Sequence, residues 1–155
     1  MDPNLYPNYP ATFVRGHHVQ RAAATLPQTA THNLFTVSGG QVLITGLIGT
    51  VATTAIQNSD PVAKLTSTPS VGSAVDIAST VDLTSLEIGG HVVCEGDGTA
   101  LVKSNAGAAY MSAGVGFWVC PSGTIDLTTG ASKTGSMKWD LFFIPLDEGA
   151  TVVAS

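Results

Sequence analysis

The segment QVLITGLIGTVAT, residues 41–53, decides the fold class of this protein. Its apolar residues occupy both alternating faces of an extended chain, with Val42, Ile44 and Ile48 on one face and Leu43, Leu47 and Val51 on the other. A strand with two apolar faces is covered on both sides and lies inside a sheet. Gly46 and Gly49 within the segment predict bulges or close backbone contacts.

Short apolar stretches separated by turn residues continue on both sides of this segment. Asn33–Val37 precedes it across Ser38-Gly39-Gly40, and further candidates follow at residues 62–66, 75–77, 81–83, 86–94, 100–103, 115–120, 124–127, 137–144 and 151–154. Their recurrence at roughly 8 to 12 residues is typical of antiparallel architectures, and Asp97-Gly98 is a hairpin signal. The sequence therefore predicts an all-β fold, an antiparallel β-sandwich or barrel-like, jelly-roll-type body.

The stretch Met137–Ile144 predicts which side chains fill the core. In a strand, Trp139, Leu141 and Phe143 share one face, which we expect to be buried. The other face begins with Lys138 and ends with Ile144. This change from charged to apolar predicts an edge strand that emerges into a subunit contact.

Residues 1–31 differ from the rest of the chain and predict an extended N-terminal arm, with the body at 32–155. The arm contains four of the prolines, at positions 3, 7, 10 and 27. The arm has one acidic residue, Asp2, and two basic residues, Arg15 and Arg21, so its formal charge is +1. Because the whole chain has a net charge of −5, the body has a charge of −6. Such asymmetry favours an arm that docks on a partner, and a disordered or surface-wrapped terminus is the equal alternative.

In the arm interpretation, two kinds of side chain contact the partner. Arg15 and Arg21 meet acidic groups, and apolar anchors are supplied by Tyr6, Tyr9, Phe13 and Val14. The prolines prevent a strand ladder over much of the arm, so we expect the body to fold without residues 1–31.

Composition excludes several classes of protein. The 155 residues suit one domain, and only 11% are charged, with six Lys and Arg in total. No basic cluster is present, which argues against nucleic-acid binding. Residues 22–59 carry no charge but are too rich in Thr and Gly for a membrane span, and the first residues lack a secretory signal, so we expect an intracellular start and no membrane contact.

No motif for catalysis, phosphate binding or a dinucleotide occurs, so we expect no enzyme, no catalytic residue and no cofactor. His91 and Cys94 are too few for a zinc site, and Glu95 with Asp97 predicts a turn rather than a calcium site. No metal site is therefore expected. Cys94 and Cys120 are expected as buried free thiols, and a bond between them stays open if their strands are neighbours.

Three stretches carry a resemblance to a known group of proteins: GFWVCPSGTID at 116–126, KWDLFFIPLDEGA at 138–150 and LFTVSGGQV at 34–42. They resemble small structural proteins of tailed bacteriophages, and in size and texture the chain is most similar to capsid decoration, or cement, proteins. The resemblance covers roughly residues 22–155. It rests on structural turns and strands, and no contact residue is transferred by it.

The resemblance implies a virion protein without enzymatic activity. It implies a homotrimer that binds the major capsid protein on the outer surface of the capsid and stabilises the head, after assembly in the host cytoplasm. Two alternatives remain. One is a host-glycan or receptor-binding β-sandwich that uses Tyr110 or Trp118 as a stacking platform, and the other is a tail or connector subunit that builds a ring.

Overall fold

Strands are the only regular secondary structure in the described part of the chain. A computed structural model describes residues 16–57, 63–95, 100–105, 117–130 and 134–155. The strands are β1 (His17–Thr25), β2 (Thr31–Ser38), β3 (Val42–Val51), β4 (Ala63–Pro69), β5 (Val75–Val81), β6 (His91–Cys94), β7 (Val102–Ser104), β8 (Trp118–Cys120), β9 (Gly123–Thr129), β10 (Ser136–Pro145) and β11 (Thr151–Ala154).

The strands form two antiparallel sheets. Sheet A has the order β1-β10-β3-β6-β7, with β8 also paired to β3, and sheet B has the order β11-β2-β9-β4-β5. Apolar side chains of both sheets form one shared core. The prediction of an all-β sandwich is therefore confirmed.

Strand β10 provides the centre of the core, as its alternation predicts. Trp139, Leu141 and Phe143 are all buried. However, β10 is not an edge strand, because β1 pairs with one side of it and β3 with the other. The prediction that its second face emerges at an edge is wrong, and that face instead lies in the middle of the outer surface of sheet A.

A bulge in β3 changes which side chains face the core. The register with β10 shifts between Phe142 and Phe143, which leaves Thr45 as an additional residue. Alternation is reversed there, so the buried apolar residues of the strand are Val42, Ile44, Leu47 and Val51. Ile48 consequently faces outward, and the prediction that placed it on the same face as Ile44 is wrong beyond the bulge. The sequence predicts a bulge or a close backbone contact at Gly46, and the bulge lies at Thr45, directly before it.

The first described strand corrects the boundary of the arm. His17–Thr25 pairs with β10 along its length, and the partly buried Val19 packs against the core. The prolines at positions 3, 7 and 10 precede this strand and Pro27 follows it, so every residue of β1 keeps its amide donor. The structure therefore moves the start of the body from residue 32 to residue 17. Residues 1–15 of the predicted arm, like the Asp97-Gly98 turn, lie outside the described residues.

Candidate functional site

A row of three apolar side chains crosses the outer face of sheet A from β10 through β3 to β8. Ile144 of β10 pairs with Leu43 of β3, and Leu43 pairs with Val119 of β8. Ile144 is 36% exposed and Val119 is 52% exposed. Gly16 borders the row at its other end, since a Cβ added there would lie 2.7 Å from Cγ1 of Ile144. We call Ile144, Leu43 and Val119 the apolar row; it contains no charged residue.

A cleft opens where the apolar row ends. It has a volume of about 390 Å³ and lies between β8 of sheet A and the β4–β5 hairpin of sheet B. Ligand sites in proteins commonly measure about 300–1,000 Å³. The lining is mainly apolar, from Pro69, Val71, Val75, Trp118, Val119 and Pro121. We call it the Trp118 cleft.

Trp118 has one polar atom without a partner. The residue pairs with Ile44, and its ring packs partly against the core. Its Nε1 is buried and has no hydrogen-bond acceptor among the described residues. A buried donor left unpaired costs about 1–3 kcal/mol. Trp118 thus lines the cleft, and its indole donor is buried without an acceptor among the described residues.

The carboxylate at the cleft is already neutralised by neighbouring side chains. Nζ of Lys64 donates to both carboxylate oxygens of Asp76 at 2.9 Å, and Oγ1 of Thr66 donates to the same group at 2.9 Å. The hydrogen bond from Lys64, followed by that from Thr66, lowers the pKa of Asp76 below its ordinary value. Asp76 therefore adds little net charge to the cleft.

A second polar group lies on the outer face of sheet A, four residues before Ile144 along β10. Oδ1 of Asp140 accepts hydrogen bonds from Nε2 of Gln20 at 2.7 Å and from Nε2 of His18 at 2.8 Å. The His18 ring stacks on Phe142, with 4.8 Å between the ring centroids. Partial burial would raise the pKa of Asp140, but the hydrogen bonds from Gln20 and His18 and the charge of Lys138 outweigh it and lower that pKa. These groups bind one another and join β1 to β10.

The two cysteines are free and distant from each other. Cys94 pairs with Leu47 and Cys120 with Val42, five residues apart on the same edge of β3. Their Cα atoms are therefore separated by roughly 15 Å, well beyond the limit of about 7 Å for a disulfide. Burial raises the pKa of the Cys120 thiol, which a hydrogen bond with Ser67 only partly opposes. The question that the sequence leaves open is settled in favour of free, buried thiols.

The structure describes only one of the predicted partner-binding residues. Arg21 lies in β1, where its Nε donates to the backbone oxygen of Ser155 at 2.9 Å. It is thus part of the sheet and not of an arm. The other five, Tyr6, Tyr9, Phe13, Val14 and Arg15, lie outside the described residues, as does Tyr110. Trp118, the other predicted stacking residue, does line a cleft.

Sequence reasoning missed the apolar row and the cleft because both combine distant segments. The outward position of Ile144 in β10 was the one available signal. Within the described ranges, no group of three His, Cys, Asp or Glu side chains is placed to hold a metal ion. Nor do those ranges contain a helix that could span a membrane.

The fold defines an all-β sandwich protein with an apolar outer row and an adjoining cleft. No protein family model, curated protein or solved structure matches the chain. Its function is therefore argued from the surface itself.

Proposed function

We propose that this protein is a structural virion protein, a capsid decoration protein that binds the outer surface of the major capsid protein lattice and stabilises the head. The observation that carries the proposal is the apolar row, an uncharged set of side chains on the outer face of sheet A in which Ile144 and Val119 are exposed and Leu43 is partly buried. Apolar side chains that are contiguous on a surface mark contacts with other proteins. The resemblance to phage decoration proteins supplies the kind of partner.

The charges near the row favour contact with protein over catalysis. Asp140 is held by His18 and Gln20, and Asp76 by Lys64 and Thr66. These contacts leave each carboxylate engaged with its own sheet. A face of this kind fits the core of a protein interface, which is depleted in charge. The proposal accordingly assigns no catalytic residue, cofactor or metal to this protein.

The predicted arm contributes to the same contact. Tyr6, Tyr9, Phe13 and Val14 are its apolar anchors, and Arg15 pairs with acidic groups of the capsid. Arg21 remains in the sheet. In this arrangement the sandwich is seated through sheet A, and the arm extends onto a neighbouring capsid subunit.

Co-sedimentation with capsids that lack the protein tests this proposal. Val119→Asp places a charge in the apolar row, and Val153→Asp is its matched control, because Val153 is 53% exposed on β11 of sheet B, against 52% for Val119. We expect Val119→Asp to lose binding and Val153→Asp to retain it, with no effect of a chelator. Equal binding of the two variants would contradict the proposal.

The proposal includes a homotrimer in solution. Exposed apolar residues on one small sandwich favour self-association, and closed symmetric assemblies are the common outcome. Light scattering at micromolar concentration is expected to give three times the mass of the chain. A monomer at that concentration would remove the trimer from the proposal.

The Trp118 cleft favours a second candidate function, binding of a host glycan or receptor. Ligand sites combine aromatic side chains with a few polar groups, and the cleft has Trp118 beside Asp76, which keeps its bonds to Lys64 and Thr66. In this case a glycan array gives binding that Trp118→Ala abolishes. An array without any binding would remove this candidate.

A further inference from the structure

We propose that the Trp118 cleft is a binding site for the proline- and tyrosine-rich start of the same chain. In the free protein, residues 10–15 run along the apolar row, and residues 3–10 occupy the cleft. The inference concerns the free protein and does not depend on the identity of any partner. It rests on where the described chain begins, on the chemistry of the cleft and on the sequence of residues 3–14.

The described chain begins within reach of the cleft. His17 pairs with Phe143, Phe143 with Ile44, and Ile44 with Trp118, so these four residues lie side by side across sheet A. Three strand spacings separate His17 from Trp118 by about 14 Å. Pro10 lies six positions before Gly16, and six extended steps of the chain span up to about 20 Å. Residues before Pro10 therefore reach the cleft of their own molecule.

The surface between these two points is apolar. Gly16 borders Ile144, and the row continues through Leu43 to Val119, which also lines the cleft. Phe13 and Val14 precede Arg15 and Gly16 in the sequence, and in this arrangement their apolar side chains cover the row. The row thus provides a continuous apolar path from the start of the sheet to the cleft.

The start of the chain has the pattern of a polyproline II ligand. Pro7-Asn8-Tyr9-Pro10 has prolines three residues apart, which is one turn of that helix. The same period places Tyr6 and Tyr9 on a second row beside the prolines, and Asn8 on the third. Within residues 6–10, two of the three rows are therefore apolar or aromatic, whereas Asn4 continues the row of the prolines and Leu5 the row of Asn8. No residue from 3 to 14 is charged.

The cleft suits such a ligand. Polyproline II segments bind aromatic-lined grooves, and they enter them with little loss of conformational entropy. Proline has no amide donor, so its burial leaves no N–H unpaired, while the carbonyls of the segment remain able to accept. Nε1 of Trp118 is a donor without an acceptor among the described residues. A segment carbonyl that reaches it after a side-chain rotation would complete this hydrogen bond.

Because the segment is covalently attached to the sheet, a weak intrinsic affinity for the cleft is enough to keep it bound. A short flexible linker gives an effective concentration of about 1 mM, so a segment with a Kd of about 0.1 mM is bound in roughly nine molecules of ten. Docking also covers the row that Val119 and Ile144 leave exposed. A partner that uses this row must displace the segment, which then becomes free to contact that partner.

Acrylamide quenching of tryptophan fluorescence in the full chain tests the proposal. Trp139 is 1% exposed in the core, so changes in quenching report Trp118. Pro7→Asp puts a charge on the proline side of the segment, which faces the cleft in this arrangement. Asn8→Asp puts the same charge on the side of the segment that carries Asn8. We expect loss of protection in Pro7→Asp and quenching as in the original chain in Asn8→Asp. Equal quenching in both variants overturns the proposal.

A peptide titration provides the second measurement. A synthetic peptide of residues 1–15 is added to the Pro7→Asp protein, and we expect restored protection with a Kd of about 0.1 mM or tighter. Failure of the peptide overturns the proposal, and protection by a soluble glycan instead supports the glycan candidate. Protection in the original chain that depends on protein concentration shows docking on a second copy, which also overturns it.

Discussion

Trp139 lies directly opposite Gly49 in the pairing of β10 with β3, and the missing side chain of the glycine makes room for its indole ring. A Cβ at position 49 would lie 2.8 Å from Cζ3 of Trp139, 2.6 Å from Cε of Met137 and 2.7 Å from Cγ2 of Val92. The largest buried side chain thus packs against backbone. The sequence predicts a bulge or a close backbone contact at this glycine, and the structure shows side chains packed against its backbone.

Gly49→Ala is expected to destabilise the protein. The methyl group meets three packed side chains at once, so it forces them from their positions, at a cost of about 1–3 kcal/mol. Urea unfolding followed by circular dichroism measures the change. Thr50→Ala is the control on the same strand, because its side chain faces outward to His91, and we expect it to cost less than Gly49→Ala. A Gly49→Ala protein as stable as the original chain would contradict this packing.

Truncation tests where the body begins. Removal of residues 1–15 is expected to leave the unfolding midpoint in urea nearly unchanged, since the sheet starts at His17. Removal of residues 1–25 takes away β1 and the packing of Val19, so we expect a loss of at least about 2 kcal/mol. It also exposes an edge of β10, which favours aggregation. Equal stability of the two truncated proteins would instead support an arm that extends past residue 25.

Stability is expected to fall in acid through Asp140. Its pKa is lowered in the folded protein, so its contribution is complete above the ordinary pKa and is lost as the pH falls through the folded value. The loss therefore begins near the ordinary carboxyl pKa of about 4 and continues at lower pH. Asp140→Asn should therefore flatten the dependence of the melting temperature on pH in this window. Glu148→Gln, on the exposed turn before β11, is the control that keeps the original slope.

Thiol chemistry tests the position of the cysteines. Both are buried and free, and burial raises the pKa of Cys120, which reduces its thiolate fraction. We expect iodoacetamide to label neither in the native protein and both in urea, as read by mass spectrometry. An intact mass two hydrogen atoms lower than the sequence requires would reveal a disulfide and refute the assigned register of β6 and β8.

The parts that sequence reasoning predicted are those with a local signal. The alternation of Trp139 and Leu141 identified the core face of β10, and Gly46 indicated the bulge. Strand β1 was missed because the prolines around it dominated the interpretation of residues 1–31, although none lies within His17–Thr25. Strict alternation placed Ile48 on the same face of β3 as Ile44, and the bulge at Thr45 reversed this assignment.

The candidate site depends on contacts that are not local in sequence. The cleft forms because β8 pairs with β3, whereas β4 pairs with β9 and β5 in the other sheet. Val71 and Trp118 meet only through this topology. No period or motif within one segment indicates that residues of two sheets line the same cleft. Composition and resemblance could therefore suggest a class of protein, but they could not predict the cleft or the apolar row.

A density map of the native particle tests the central claim, that this protein binds the outside of a capsid, most directly. The account predicts sandwich-shaped density on the outer surface of the head, in groups of three, with the face of sheet A that carries Leu43 and Val119 against the capsid shell. Density in the tail, in a connector ring or nowhere on the particle would contradict it.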